Sequence, residues 1–187
     1  VGRDNIEIRW HGRGGQGAIT AAKIVANAAF SVGYGGVVMA PTFGTERRGA
    51  PLFTSLKISK DKIYDLSPIE HPDMIVVLDH LLLEEADVLS GLKPGGLIII
   101  NTPKGVEAYL CDGMKLAVAD VTKIAIEAGL KEGIVNSGII GAFAKASGLV
   151  DMDILMDAIK DEFKDRRPDE NAEAARLTYE RTIMGGR

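Results

Sequence analysis

A chain of 187 residues, 46% hydrophobic and 26% charged, is long and apolar enough to bury one sizeable core. Its net charge of −4 argues against a nucleic-acid backbone as the main partner. Its apolar runs, such as residues 97–100, are strand-length rather than membrane-length, and no secretory leader is expected at its start. The single cysteine, Cys111, cannot close an internal disulfide, which fits a reducing compartment and predicts a cytoplasmic location.

Ile6, Ile8 and Trp10 alternate with polar residues, the period of a half-buried strand. Residues 18–32 then carry Ala, Ile, Val and Phe at helical spacing, and residues 36–40 form a second strand ending at Pro41. Residues 53–58 alternate again and are expected to form a hairpin with Lys62, Ile63 and Tyr64 beside the sheet. The continuously apolar runs 75–78 and 97–100 predict strands buried on both faces. A short helix over 81–89 lies between them, and 115–119 is one more strand. Helices then dominate: 121–128 capped by Asp120 and closed by Gly129, one from Asn136 through Ala146, and one from Asp151 through Phe163. Residues 166–187, rich in Glu, Arg and Ala, read as an amphipathic helix docked on its own domain or as an arm reaching another subunit. The expectation is α/β: a three-layer α/β/α domain over residues 1–187, with a mixed, mostly parallel sheet and a helical C-terminal extension from residue 165.

Between the first strand and the first helix stands Gly12-Arg13-Gly14-Gly15-Gln16-Gly17. Glycine at this density lets backbone approach a ligand and aims amide N–H groups and a positive helix end at it. The functional reading is a phosphate-bearing ligand, with Arg13, Gln16 and the amides of residues 14–17 as donors. The plainer reading is a tight connection that binds nothing. Gly12, Gly14 and Gly17 also satisfy G-x-G-x-x-G, the mark of an NAD(P)-binding oxidoreductase or a nucleotide-sensing module. That reading needs a carboxylate closing the second strand to bind the ribose. Here the strand runs into Pro41-Thr42-Phe43-Gly44, and the first carboxylate, Glu46, is inside the following loop. Glu46-Arg47-Arg48 lies at a strand end, where α/β domains place ligands, and guanidinium suits phosphate or carboxylate; it also reads as a solvated loop edge. Asp79 and His80 follow a buried strand, with Asp79 read first as a helix cap. Asn101-Thr102 lies at a similar strand end, Asn136-Ser137-Gly138 is a helix start, and Cys111 reads as a small hydrophobe.

The glycine turn together with Phe43-Gly44-Thr45-Glu46-Arg47-Arg48-Gly49-Ala50-Pro51 resembles the gamma subunit of 2-oxoacid:ferredoxin oxidoreductases. His71-Pro72-Asp73-Met74, Leu92-Lys93-Pro94-Gly95-Gly96 and Asn136-Ser137-Gly138-Ile139-Ile140-Gly141 extend the likeness over residues 6–185, and Arg-Arg-Gly-Ala-Pro resembles the pyruvate-type branch. The resemblance implies alpha, beta and delta-type partner subunits carrying thiamin diphosphate, magnesium and iron–sulfur clusters, with ferredoxin as electron acceptor. It implies coenzyme A as the substrate bound near Gly12, Arg13, Gly14, Gly15, Gln16, Gly17, Arg47 and Arg48. One cysteine cannot ligate a cluster, and no thiamin motif is present, so the isolated chain is expected to hold no cofactor and to be inactive. An interface left without its partners would favour a homodimer.

Overall fold

The computed structural model describes residues 5–41, 47–109 and 112–186. Strand β1 (Asn5–Arg13) enters helix α1 (Ala18–Ser31), followed by β2 (Gly36–Pro41), β3 (Pro51–Ser59), β4 (Met74–Val77) and the one-turn helix α2 (Leu82–Glu85). After β5 (Leu97–Asn101), a 3₁₀ turn (Val106–Ala108) and β6 (Lys115–Ala119) come α3 (Val121–Glu127), α4 (Asn136–Ser147), α5 (Met152–Glu162), α6 (Pro168–Arg181) and β7 (Ile183–Gly185). The strands form one sheet in the order β2-β3-β1-β4-β5-β6-β7. β1, β4, β5 and β6 pair in parallel, β3 runs antiparallel to β1 and β2, and β7 antiparallel to β6. β2 therefore points with β1, and five of the seven strands share one direction, the mixed and mostly parallel sheet of an α/β fold.

One face of the sheet presents Ile8, Trp10, Leu56, Ile58, Val76, Leu78 and Ile99, all but fully buried in a core shared with α1, α4 and α5. Trp10 packs against Phe143 of α4, ring centroids 5.2 Å apart. The other face carries Ile75, Val77, Ile98, Ile100, Leu116 and Val118 against Leu82 and Val88. Its cover is α2, the 3₁₀ turn and irregular chain, so the two helical layers are unequal in thickness. Over β1 and β3 this second face is polar: Glu7 takes ion pairs from Lys57 (3.6 Å) and Lys93 (3.4 Å), and Lys93 also reaches Asp73 at 3.1 Å.

The 53–58 strand does not make a hairpin with residues 62–64, which are irregular. Instead β3 lies inside the sheet between β2 and β1. Burial of Leu56 and Ile58 in the core set that placement, an override of local turn signals by packing. The C-terminal segment is docked rather than extended: α6 lies along α4 and touches α5 and α3, and β7 closes the sheet edge. Its buried residues are Asn171, Ala172, Ala174, Ala175 and Thr178, with Tyr179 left 37% exposed. Asp120 caps α3 as expected, accepting from the Lys123 amide at 3.0 Å. α4 begins differently, with Val135 at the cap and the Asn136 side chain turned onto its neighbour's amide.

Candidate functional site

The chain leaves β1 rightward to β4 and, through α1, leftward to β2 and β3, so a crevice opens where the directions part, beyond the strand ends. A cleft of about 640 Å³ occupies that place, lined by Gln16, Asp79, His80, Asn101, Asp120, Lys123 and Glu132 among others. Gly15 and Gly17 take φ of 92° and 81°, the left-handed region that glycine enters without strain, and Gly17 caps α1. The first-strand end, the glycine turn and the helix start are thus one continuous corner. Gly12 permits close strand–helix packing, since a Cβ there would lie 3.2 Å from the Ala18 Cβ. Beside Gly17 stands Asn136, whose Nδ2 would be 2.6 Å from an added Cβ.

Several expected donors are already engaged. The Gly14 amide donates to the Ala50 carbonyl (2.9 Å) and the Gln16 amide to the Arg13 carbonyl (3.0 Å). Gln16 turns its side-chain oxygen back to accept from the Arg13 amide at 2.8 Å. Among the described residues, the amides of Gly15 and Gly17 make no hydrogen bond and remain open to a ligand.

Arg13 is not an open cation. Its Nε donates to Asp79 at 2.7 Å, and its terminal nitrogens donate to both Glu85 oxygens at 2.7 and 2.9 Å. Hydrogen bonds from Glu85 first, then Asp79, raise the guanidinium pKa. Burial pushes the Asp79 carboxyl up, but bonds from Arg13, the Leu81 amide and Gln16 outweigh it and hold Asp79 below its ordinary value. Asp79 therefore joins the expected turn-capping role, its bond to the Leu81 amide being 3.0 Å, to a second one as anchor for the glycine turn. A folded-state pKa below the unfolded one means stability present above the unfolded value and lost as pH falls through the folded value. Asp79→Asn should accordingly be less stable than wild type near neutral pH by roughly 1 kcal/mol, a charged hydrogen bond discounted for partial exposure. That gap should close below about pH 3. Urea denaturation across this range checks it, and a gap unchanged by acid refutes the pair's contribution.

The arginines of the second motif are placed differently. Arg47, Arg48, Gly49 and Ala50 form a turn closed by the Ala50 amide on the Arg47 carbonyl at 3.0 Å. The turn is bonded to the glycine turn by Gly14 N–H to Ala50 and by Gly49 N–H to the Gly14 carbonyl (3.0 Å). Both arginines are exposed, and neither forms an ion pair among the described residues. Glu46 and Cys111 lie outside the described residues. Asn101 is a strut: its amide nitrogen donates to the Leu78 carbonyl and Thr122, and its oxygen accepts from the Val121 and Thr122 amides. The sequence pattern did not single out Glu85, Lys123 or Glu132. Glu85 and Asp79 flank a single helical turn, too short for periodicity to reveal a shared target.

The second strand's end is displaced from β1 by the intervening β3, so no carboxylate can close a dinucleotide ribose site in the usual way. Comparison with known proteins gives a consistent picture. A family model described as pyruvate ferredoxin/flavodoxin oxidoreductase matches residues 7–181. The pyruvate/ketoisovalerate oxidoreductases common subunit gamma of Pyrococcus furiosus is 48% identical over 182 residues, covering 95% of this chain and 97% of its own. Pyruvate synthase subunit PorC of Methanothermobacter marburgensis is 45% identical, covering 97% and 99%. The crystal structure of the pyruvate oxidoreductase subunit PORC of Thermotoga maritima superposes with a TM-score of 0.83 at 34% identity, covering 98% of this chain and 99% of that one. The chain belongs to the pyruvate ferredoxin/flavodoxin oxidoreductase family, as a gamma subunit of a pyruvate or related 2-oxoacid:ferredoxin oxidoreductase.

Proposed function

We propose that this chain, folded as one domain over residues 1–187, binds coenzyme A and closes over the thiamin diphosphate site of its alpha, beta and delta-type partners in the cytoplasm. The observation that carries the reading is the bonding of the exposed Arg47–Arg48 turn onto the glycine turn, which sets two cations beside open amides. The coenzyme's phosphates would take the Gly15 and Gly17 amides at the positive end of α1 and the guanidinium groups of Arg47 and Arg48. Gly12 and Gly14 permit the close approaches, Gln16 buttresses the turn, and Arg13 positions it through Asp79 and Glu85. The cleft wall itself carries Asp79, Asp120 and Glu132 against Lys123, so the attraction for an anion comes from the arginine turn and the helix end.

Iron–sulfur and thiamin–magnesium sites do not fit the residues here. Among the described residues no three His, Cys, Asp or Glu side chains are grouped to hold a metal. When bound on the partners, those groups supply decarboxylation of the 2-oxoacid and electron transfer to ferredoxin. This chain's contribution is positioning: a thiol held next to the acyl group replaces a bimolecular collision. Reconstitution with the partner subunits tests it. Arg47→Ala and Arg48→Ala should each raise the coenzyme A KM roughly ten- to hundredfold, the size of one charge-assisted hydrogen bond, with the 2-oxoacid KM unchanged. Weakened subunit association with an unchanged coenzyme A KM would show an assembly role instead.

A further inference from the structure

A second cavity, of about 200 Å³, shares no lining residue with the cleft. Arg9 and His11, two residues apart on β1 and so on one face of the sheet, form its polar wall, and each is only 8% exposed. Arg9 donates from a terminal nitrogen to the carbonyls of Val88 and Ser90, and its guanidinium lies 6.0 Å from the Phe53 ring centroid. His11 stacks on the same ring, centroids 5.3 Å apart. The buried Arg9 Nε and His11 Nε2 have no hydrogen-bond partner. Burial, then the charge of Arg9, lowers the His11 pKa to about 4, so the imidazole is neutral at ordinary pH with one nitrogen protonated.

These features narrow the ligand. A guanidinium held away from water with an open N–H calls for an anionic acceptor. The remaining wall is largely apolar, including Leu52, Leu82 and Val88. The volume lies below the ~300 Å³ at which pockets for drug-sized molecules begin, which excludes a nucleotide or coenzyme A. Asp87, exposed at the rim and within electrostatic reach of Arg9, disfavours a second negative charge on the ligand. We propose that this cavity binds a free short-chain aliphatic monocarboxylate, whose carboxylate accepts from Arg9 Nε and from His11 in its Nε2-protonated tautomer. Its alkyl end lies against Leu52, Leu82 and Val88. The proposal is independent of the coenzyme A reading, because a different set of residues carries it.

The test titrates 3-methylbutanoate into the full chain with isotope-labelled histidine, following the His11 ring resonances. A saturable shift is expected, with 3-methylbutanamide and methylsuccinate binding at least about tenfold more weakly. Arg9→Gln should weaken binding about tenfold or more. Since Arg9 also braces the Val88–Ser90 backbone, a second variant guards against loss of fold: Ala86→Phe narrows the cavity at an exposed position. That variant should keep its circular dichroism and thermal midpoint and lose the shift. No saturable shift in wild type, or equal binding by Ala86→Phe, overturns the proposal; equal binding of the amide removes the carboxylate from it.

Discussion

Gly141→Ala should lower the thermal midpoint by roughly 6–12 °C, the shift corresponding to about 3 kcal/mol of overpacking in a chain of this size. The sign is the informative part. Glycine inside a helix is about 1 kcal/mol worse than alanine, so propensity alone predicts stabilisation. Here a Cβ would sit 1.9 Å from the Ala175 carbonyl oxygen and 2.8 Å from the Tyr179 amide nitrogen, both backbone atoms of α6. No rotamer change relieves a backbone contact, so α4 and α6 must separate. Gly138, one turn earlier, is also confined, with Val121 and Thr178 side chains at 2.5 and 3.3 Å from its would-be Cβ. Together the two glycines form the shallow groove that lets the C-terminal helix lie close along α4. The consequence reaches the cleft, because α4 begins at Asn136, the residue that abuts Gly17. Calorimetry of wild type and variant decides it; an unchanged or raised midpoint would mean that the helices yield without cost.

What the sequence made legible follows from periodicity and composition. The alternation of Ile6, Ile8 and Trp10 and the apolar runs at 75–78 and 97–100 found their strands because one or two buried faces dictate those patterns. Asp120 was found as a cap because capping is local chemistry. β3 was misplaced because strand order is decided by what covers a face, which no local signal encodes. β7, three residues long, is too short to show a period. At the site, the glycine turn was legible as a close-approach corner, and the arginine motif as its neighbour. The pairing of Arg13 with Asp79 and Glu85 was not, since it joins residues 66 and 72 positions apart. An arginine beside a glycine turn looks like a phosphate donor until the carboxylates that fold against it are known. That distinction transfers the proposed binding charge from Arg13 to Arg47 and Arg48.

Gly14→Ala separates that proposal from its alternatives most sharply. A Cβ at residue 14 would stand 2.4 Å from the Arg47 carbonyl oxygen and 3.1 Å from its carbon, again backbone against backbone. The methyl group must drive the 47–50 turn away, breaking the Gly14–Ala50 and Gly49–Gly14 hydrogen bonds, each worth about 1 kcal/mol net. The core beneath is untouched, because Gly14 lies beyond the end of β1, so the chain should still fold, with its thermal midpoint falling by only a few degrees. In the isolated chain, hydrogen exchange at the Gly49 amide should accelerate by roughly tenfold or more, the factor equivalent to about 1.4 kcal/mol. In the reconstituted complex the coenzyme A KM should rise by at least the factor produced by Arg47→Ala, since both guanidinium groups move together. The two measurements separate geometry from function. A Gly49 amide that stays protected would mean the turn accommodates the methyl group. Fast exchange with an unchanged coenzyme A KM would mean that the turn is displaced and coenzyme A does not need it, and the arginines would then belong to the contact with a partner subunit.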